Sequence, residues 1–198
     1  MIDIREHDSA SSPAPGDLEI VQRFVNLHDH DDRGRTLDPP PGMVRDFLIQ
    51  RGLIVPGTPY GAREHREALR LAGALRALAL TGEGQAPPPE AAAALDDVSE
   101  AAGLHPHFAY GDPVLVPAEG GVTGAFGRLV AIAFLARFEG TLAHLKQCAN
   151  EGCRALFYDR SKNHSGRWCS MSACGNRAKV RAWRERQRAH GPRAGSDG

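Results

Sequence analysis

Four cysteines are the whole thiol content of the chain, and all lie between residues 148 and 174. They form two pairs of equal spacing, Cys148-Ala-Asn-Glu-Gly-Cys153 and Cys169-Ser-Met-Ser-Ala-Cys174, separated by fifteen residues. Paired thiols at matched spacing are the usual layout of a small zinc site. Four thiolates at about 2.3 Å close a tetrahedron around one Zn²⁺ and leave no open position for a substrate, so the chemistry expected is structural rather than catalytic. His164 lies between the pairs but is not needed once four sulfurs are present. The amino terminus lacks an apolar signal-type stretch, and the longest apolar run, Leu129 to Ala136, is too short for a bilayer. A cytoplasmic protein with no membrane partner is therefore expected, and reducing conditions favour metal thiolates over disulfides.

Charge is distributed to match. Residues 1–140 hold 12 Arg, no Lys and 20 acids, whereas residues 141–198 hold 12 Lys or Arg and 4 acids. A body of net −8 thus carries an end of net +8, an asymmetry that points to a polyanion partner. Arg177, Arg181, Arg184 and Arg188 recur at i, i+4, i+7 and i+11, one cationic ridge if the segment is helical. Such side chains repel one another unless an anion lies beside them. DNA phosphate suits this role, with Lys162, Arg167 and Lys179 adding charge and Asn163 and Asn176 supplying polar contacts. The competing reading is a protein-interaction adaptor, in which the basic module docks on an acidic partner or on the acidic body of a second copy, giving a homo-oligomer. No Gly-rich phosphate loop, nucleophile elbow or His-Glu metal motif occurs, so no enzymatic activity is expected.

The elements that must position these residues are mostly helices. Residues 1–16, rich in Ser and Pro, read as a disordered leader. Asp17 opens a helix with Leu18, Val21, Phe24 and Val25 on one face, and the polar segment from Asn26 to Gly34 reads as a solvated turn despite two His and three Asp. A short helix follows Pro39 to Gly42. Ala62 to Leu80 is amphipathic, with Leu71, Leu75 and Leu78 inward and Arg63, Arg66, Arg70 and Arg76 outward. With residues 90–102 it forms a helical hairpin. A β-hairpin is predicted over 107–117, and the most apolar helix over 122–145, with Phe134, Phe138, Leu142 and Leu145 on one stripe. Within the metal module, Asn150 and Gly152 are expected to take positive φ, Ala155 to Tyr158 to pair with Arg167 to Cys169, and Ser172 to cap the last helix. The tail, residues 190–198, reads as disordered. The fold class is therefore mainly α with a minor β component (α+β): a multihelical body over 17–145, then a small Cys₄ module over 146–189 with a β-hairpin and a C-terminal helix.

Ser161-Lys-Asn163, Arg167-Trp-Cys169 and Cys174-Gly-Asn-Arg177-Ala-Lys179 together resemble the CGNR zinc finger family over about the last fifty residues. The body is similar to the ABATE domain that stands before that finger: Phe24-Val-Asn26 matches its opening motif, while Leu27 and Glu19 depart from its usual Thr and Cys. The resemblance implies a bacterial, stress-induced, DNA-binding transcription regulator whose mainly helical body senses a small-molecule effector, with Asn26 as a ligand-binding residue.

Overall fold

The computed structural model describes residues 12–30, 36–108 and 113–189. The expectations for residues 1–11, for the Asp31–Gly34 part of the polar turn, for the hairpin tip near Gly111 and for the tail fall outside these residues.

Among the described residues six helices run in order: α1 Leu18–Val25, α2 Pro41–Gln50, α3 Ala62–Leu80, α4 Pro89–Ala101, α5 Gly121–Phe138 and α6 Asn176–Ala189. Three two-stranded antiparallel ladders accompany them: β1 Asp29–His30 with β2 Thr36–Leu37, β3 His105–His107 with β4 Val114–Val116, and β5 Leu145–Gln147 with β6 Leu156–Tyr158. The α+β architecture with a helical body is the one expected.

The local chemistry explains the helix limits. Pro41 starts α2, where a missing N–H costs nothing and φ is already helical. The Glu64 carboxylate accepts the Gly61 N–H at 2.8 Å to open α3. α3 and α4 pack as the expected hairpin, burying Leu71, Leu75, Leu95 and Val98, and Arg70 reaches Asp97 at 2.6 Å across it.

α5 carries apolar residues around most of its circumference and packs against α1, α3 and α4, with part of its surface left exposed. By length and composition it could cross a membrane, but 56% of it is buried inside the fold. Phe126 meets Phe24, which in turn meets Phe47, at ring separations of 6.4 and 6.1 Å. A Cβ at Gly127 would fall 2.5 Å from Ala102 Cβ, so this glycine lets α5 and the end of α4 touch.

The predicted stripe on this helix is wrong in phase. Phe134 and Phe138 are 55% and 85% exposed. α5 ends at Phe138, Gly140 takes φ +77°, and a 3₁₀ turn over Thr141–His144 re-aims Leu142 and Leu145 into the core. A period counted across a left-handed glycine loses its register.

The described part of the leader is also not loose. Ala14 is buried, its N–H is held by Gln22 Oε1 at 2.7 Å, and the Ser12 carbonyl accepts from the Tyr158 N–H at 3.0 Å. Residues 12–16 therefore bridge α1 and β6.

Two cores result. The large one joins α1 to α5 with Leu142, Leu145, Leu156 and Tyr158, and the small one holds Cys148, Cys153, Ala155, Phe157 and Cys174 against Trp168 and Cys169. β6 divides between them by strand alternation: Leu156 and Tyr158 face the body, Phe157 faces the cysteines.

Candidate metal centre and its cationic helix

The first cysteine pair sits in the loop of the β5–β6 hairpin. Cys148 N–H donates to the Ala155 carbonyl at 2.9 Å, and the Asn150 carbonyl accepts from Cys153 and Arg154 N–H groups at 2.8 and 3.1 Å. The positive φ needed to turn this loop falls on Arg154, at +52°, rather than on Asn150 or Gly152. The strand partner of β6 is Leu145–Gln147, not Arg167–Cys169. A hairpin closing directly around the first pair pairs these two strands with each other, and Arg167 meets the hairpin loop through its carbonyl, which accepts the Ala149 N–H at 2.8 Å.

The second pair is set by Ser170, whose hydroxyl accepts the Ala173 N–H at 3.3 Å, two residues before the expected cap Ser172. A π-helical turn over Met171–Gly175 follows and runs into α6. Asn176 Nδ2 donates to the Ser172 carbonyl at 3.1 Å and closes this turn. A Cβ at Gly175 would lie 2.9 Å from Met171 Sδ, a contact that the exposed Met171 side chain can relieve by moving its flexible end. The tetrapeptide Cys174-Gly-Asn-Arg177 thus contains a sulfur ligand, a glycine facing the Met171 side chain, a turn lock and an exposed cation in succession.

The four sulfurs converge to within 4.8 Å of one another. Cys153 Sγ to Cys169 Sγ is 3.7 Å and Cys169 Sγ to Cys174 Sγ is 3.6 Å. These separations are far from a disulfide, at about 2.05 Å. They match the edge of a tetrahedron with 2.3 Å bonds, about 3.8 Å. Burial raises the Cys148 thiol pKa, against the Cys169 and Asn150 backbone N–H groups that face its sulfur. The Cys169 thiol is pushed far up by its bond with Cys153, by burial and by the neighbouring sulfur charges. Four thiolates cannot crowd together alone, and a divalent cation reverses that cost. The donor set fits Zn²⁺.

Asn150 is buried beside this set, its Nδ2 donating to Cys174 Sγ at 3.4 Å and its Oδ1 accepting from Arg181 Nη2 at 2.9 Å. A guanidinium of α6 is thereby linked to a metal-facing sulfur through one amide. The reading of residue types alone did not find this role for Asn150.

α6 packs against the π-turn and is otherwise exposed. Arg177, Arg181, Arg184 and Arg188 line one open groove of about 830 Å³, together with Asn176, Glu185, and Asn150 and Gly152 of the first loop. Among the described residues no carboxylate pairs with Arg177, Lys179, Arg184 or Arg188. Lys162, Asn163, Arg167 and Lys179 are exposed but lie outside this groove, and Arg167 stacks over the Trp168 ring at 5.4 Å.

The loop carrying Lys162 and Asn163 is organised by buried Asp159. Its carboxylate accepts from Lys146 Nζ at 2.8 Å, Ser161 N–H at 3.0 Å and Gly166 N–H at 2.8 Å. Burial alone would raise its pKa, but these donors together hold it well below the ordinary range.

Asn26, the expected ligand-binding residue, ties the end of α1 to β6. Its Nδ2 donates to the Leu156 carbonyl at 2.7 Å and its Oδ1 accepts the Leu156 N–H at 2.8 Å, so both amide atoms are committed to β6. Gln22 reinforces that carbonyl at 3.1 Å. Arg76, read as an outward charge of α3, instead donates to the Arg154 carbonyl at 2.8 Å and the Val25 carbonyl at 3.1 Å. Burial, and then the charge of Arg154, work against its proton, while the Cys153 sulfur favours it.

Comparison with known protein families agrees with this division. The CGNR zinc finger model matches residues 144–187. The ABATE model, described as "Putative stress-induced transcription regulator", matches residues 18–138. No curated protein matches the chain at a significant level. Together with the clustered cysteines, these matches support a zinc-containing regulator. Since the second match spans more than half of the 198 residues, the chain belongs to the ABATE family and bears a CGNR zinc finger behind that domain.

Proposed function

We propose that the protein is a bacterial, cytoplasmic transcription regulator that binds DNA through α6 when its four cysteines hold one structural Zn²⁺, and that its helical body takes a small-molecule effector. The observation carrying this reading is the groove beside α6, where Arg177, Arg184 and Arg188 stand exposed without carboxylate partners among the described residues. Aligned guanidinium groups gain most from phosphate, which they meet bidentately while releasing counterions. Four thiolate ligands leave the metal no open position, so the reading includes no catalytic step.

Affinity of the full chain for duplex DNA, measured against salt, tests this. Three or four phosphate contacts give a slope of roughly −3 to −4 in log K against log salt, and chelation should abolish binding. A flat salt response with the metal bound would sink the proposal. The adaptor reading draws on the exposure of Val180 and Trp183, 48% and 55%, on the same helix. An acidic protein partner retained after nuclease treatment is its signature.

A further inference from the structure

A second cavity, of about 300 Å³, lies where the body meets the metal loop. That volume is at the lower end of small-molecule sites, roughly 300–1,000 Å³. One wall is apolar, built by Val25 at the end of α1, Leu27 just beyond it, Leu37 of β2, and Leu69 and Ala72 of α3. The other is formed by Arg76 and Arg154 beside Cys153. No carboxylate forms an ion pair with either arginine among the described residues, although Asp38 stands at the cavity lining. Arg76 spends two N–H groups on the Arg154 and Val25 carbonyls, and a guanidinium has five. Two like charges gathered at one half-enclosed cavity are stabilised by an anion.

Gly73 adds an independent observation. It lies in the interior of α3, where glycine costs about 1 kcal/mol relative to alanine. Its φ is ordinary, and a Cβ there would meet nothing within 4 Å, so neither backbone strain nor close packing accounts for it. It lines the cavity. A bare helix backbone at a cavity wall leaves room for something other than the protein.

We infer that this cavity is a binding site for a small carboxylate with an apolar body, its carboxylate on Arg76 and Arg154 and its hydrocarbon part against Leu69 and Ala72. Arg76 also holds the carbonyl one residue beyond Cys153, so an occupant bears on the metal loop as well as on the body. The site does not depend on DNA binding.

Calorimetric titration of the zinc-loaded full chain with benzoate and with hexanoate tests the inference, with benzyl alcohol and inorganic phosphate as controls. One-to-one binding of the carboxylates is expected, with the controls at least tenfold weaker. Gly73→Leu fills the cavity from an open Cβ position and favours the helix, so it should stay folded and weaken benzoate at least tenfold. Arg154→Gln, at an exposed position, should do likewise while keeping its metal. Absence of saturable carboxylate binding to the unaltered chain would overturn the inference and assign the two arginines to neutralising the sulfur cluster. Equal binding of benzyl alcohol or phosphate, or undiminished binding by Gly73→Leu, would overturn it as well.

Discussion

Asn150 shows how much one side chain can settle in a small metal site. Its amide is buried, faces Cys174 Sγ and is itself held by Arg181. Groups of this kind orient ligands and tune their basicity, and losing one typically costs 10–100-fold in metal affinity. Asn150→Ala is expected to weaken Zn²⁺ binding by that factor, measured by competition with a chromophoric chelator; an unchanged constant would make the contact idle. Asp159 acts through protons instead. A carboxyl held below its unfolded pKa of about 3.9 adds stability at every pH above that value and loses it as pH falls towards the folded value. Asp159→Asn should therefore cost about 1–3 kcal/mol at pH 7, and the gap in Tm between the two proteins should narrow below about pH 4. A gap independent of pH would mean that packing, not charge, is what the substitution removes.

At the scale of elements, α6 and the Asp159–Gly166 loop divide the expected basic surface between them. Arg184→Ala in the groove should lower DNA affinity and reduce the salt slope by about one, whereas Lys162→Ala should leave the slope unchanged if DNA follows the groove alone. The reverse pattern would move the contact surface to the loop. The elements themselves differed in how plainly their residues announced them. Matched cysteine spacing and the leucine period of α3 are local signals, and both led to the right features. β5 was missed because Leu145-Lys-Gln continues the apolar count of α5 once Gly140 is passed over. Asn26 could not be understood locally, since its partner Leu156 is 130 residues away and sequence spacing does not report such pairings. The exposed faces of Phe134 and Phe138 have the same origin: helix phase can be counted, but which side meets the body is decided by the other helices.

For the whole molecule, the important fact is that the metal module and the body share a strand. Leu156 is fully buried in the body's core while Phe157 is buried against the cysteines. Removing the metal should consequently lower the Tm of the helical body as well as unfold the finger, giving one cooperative transition shifted downward; two separate transitions, with the helical one unmoved, would contradict this. Leu156→Ala should cost about 2–5 kcal/mol and weaken metal retention with it. The shared strand also restricts how the gene can change. Along β6 a single inserted or deleted codon would turn Phe157 towards the helices and its neighbours towards the sulfurs, because side chains alternate with a period of two. Substitutions in this strand can be repaired one at a time, but a change of length in it would disrupt both cores in the same step.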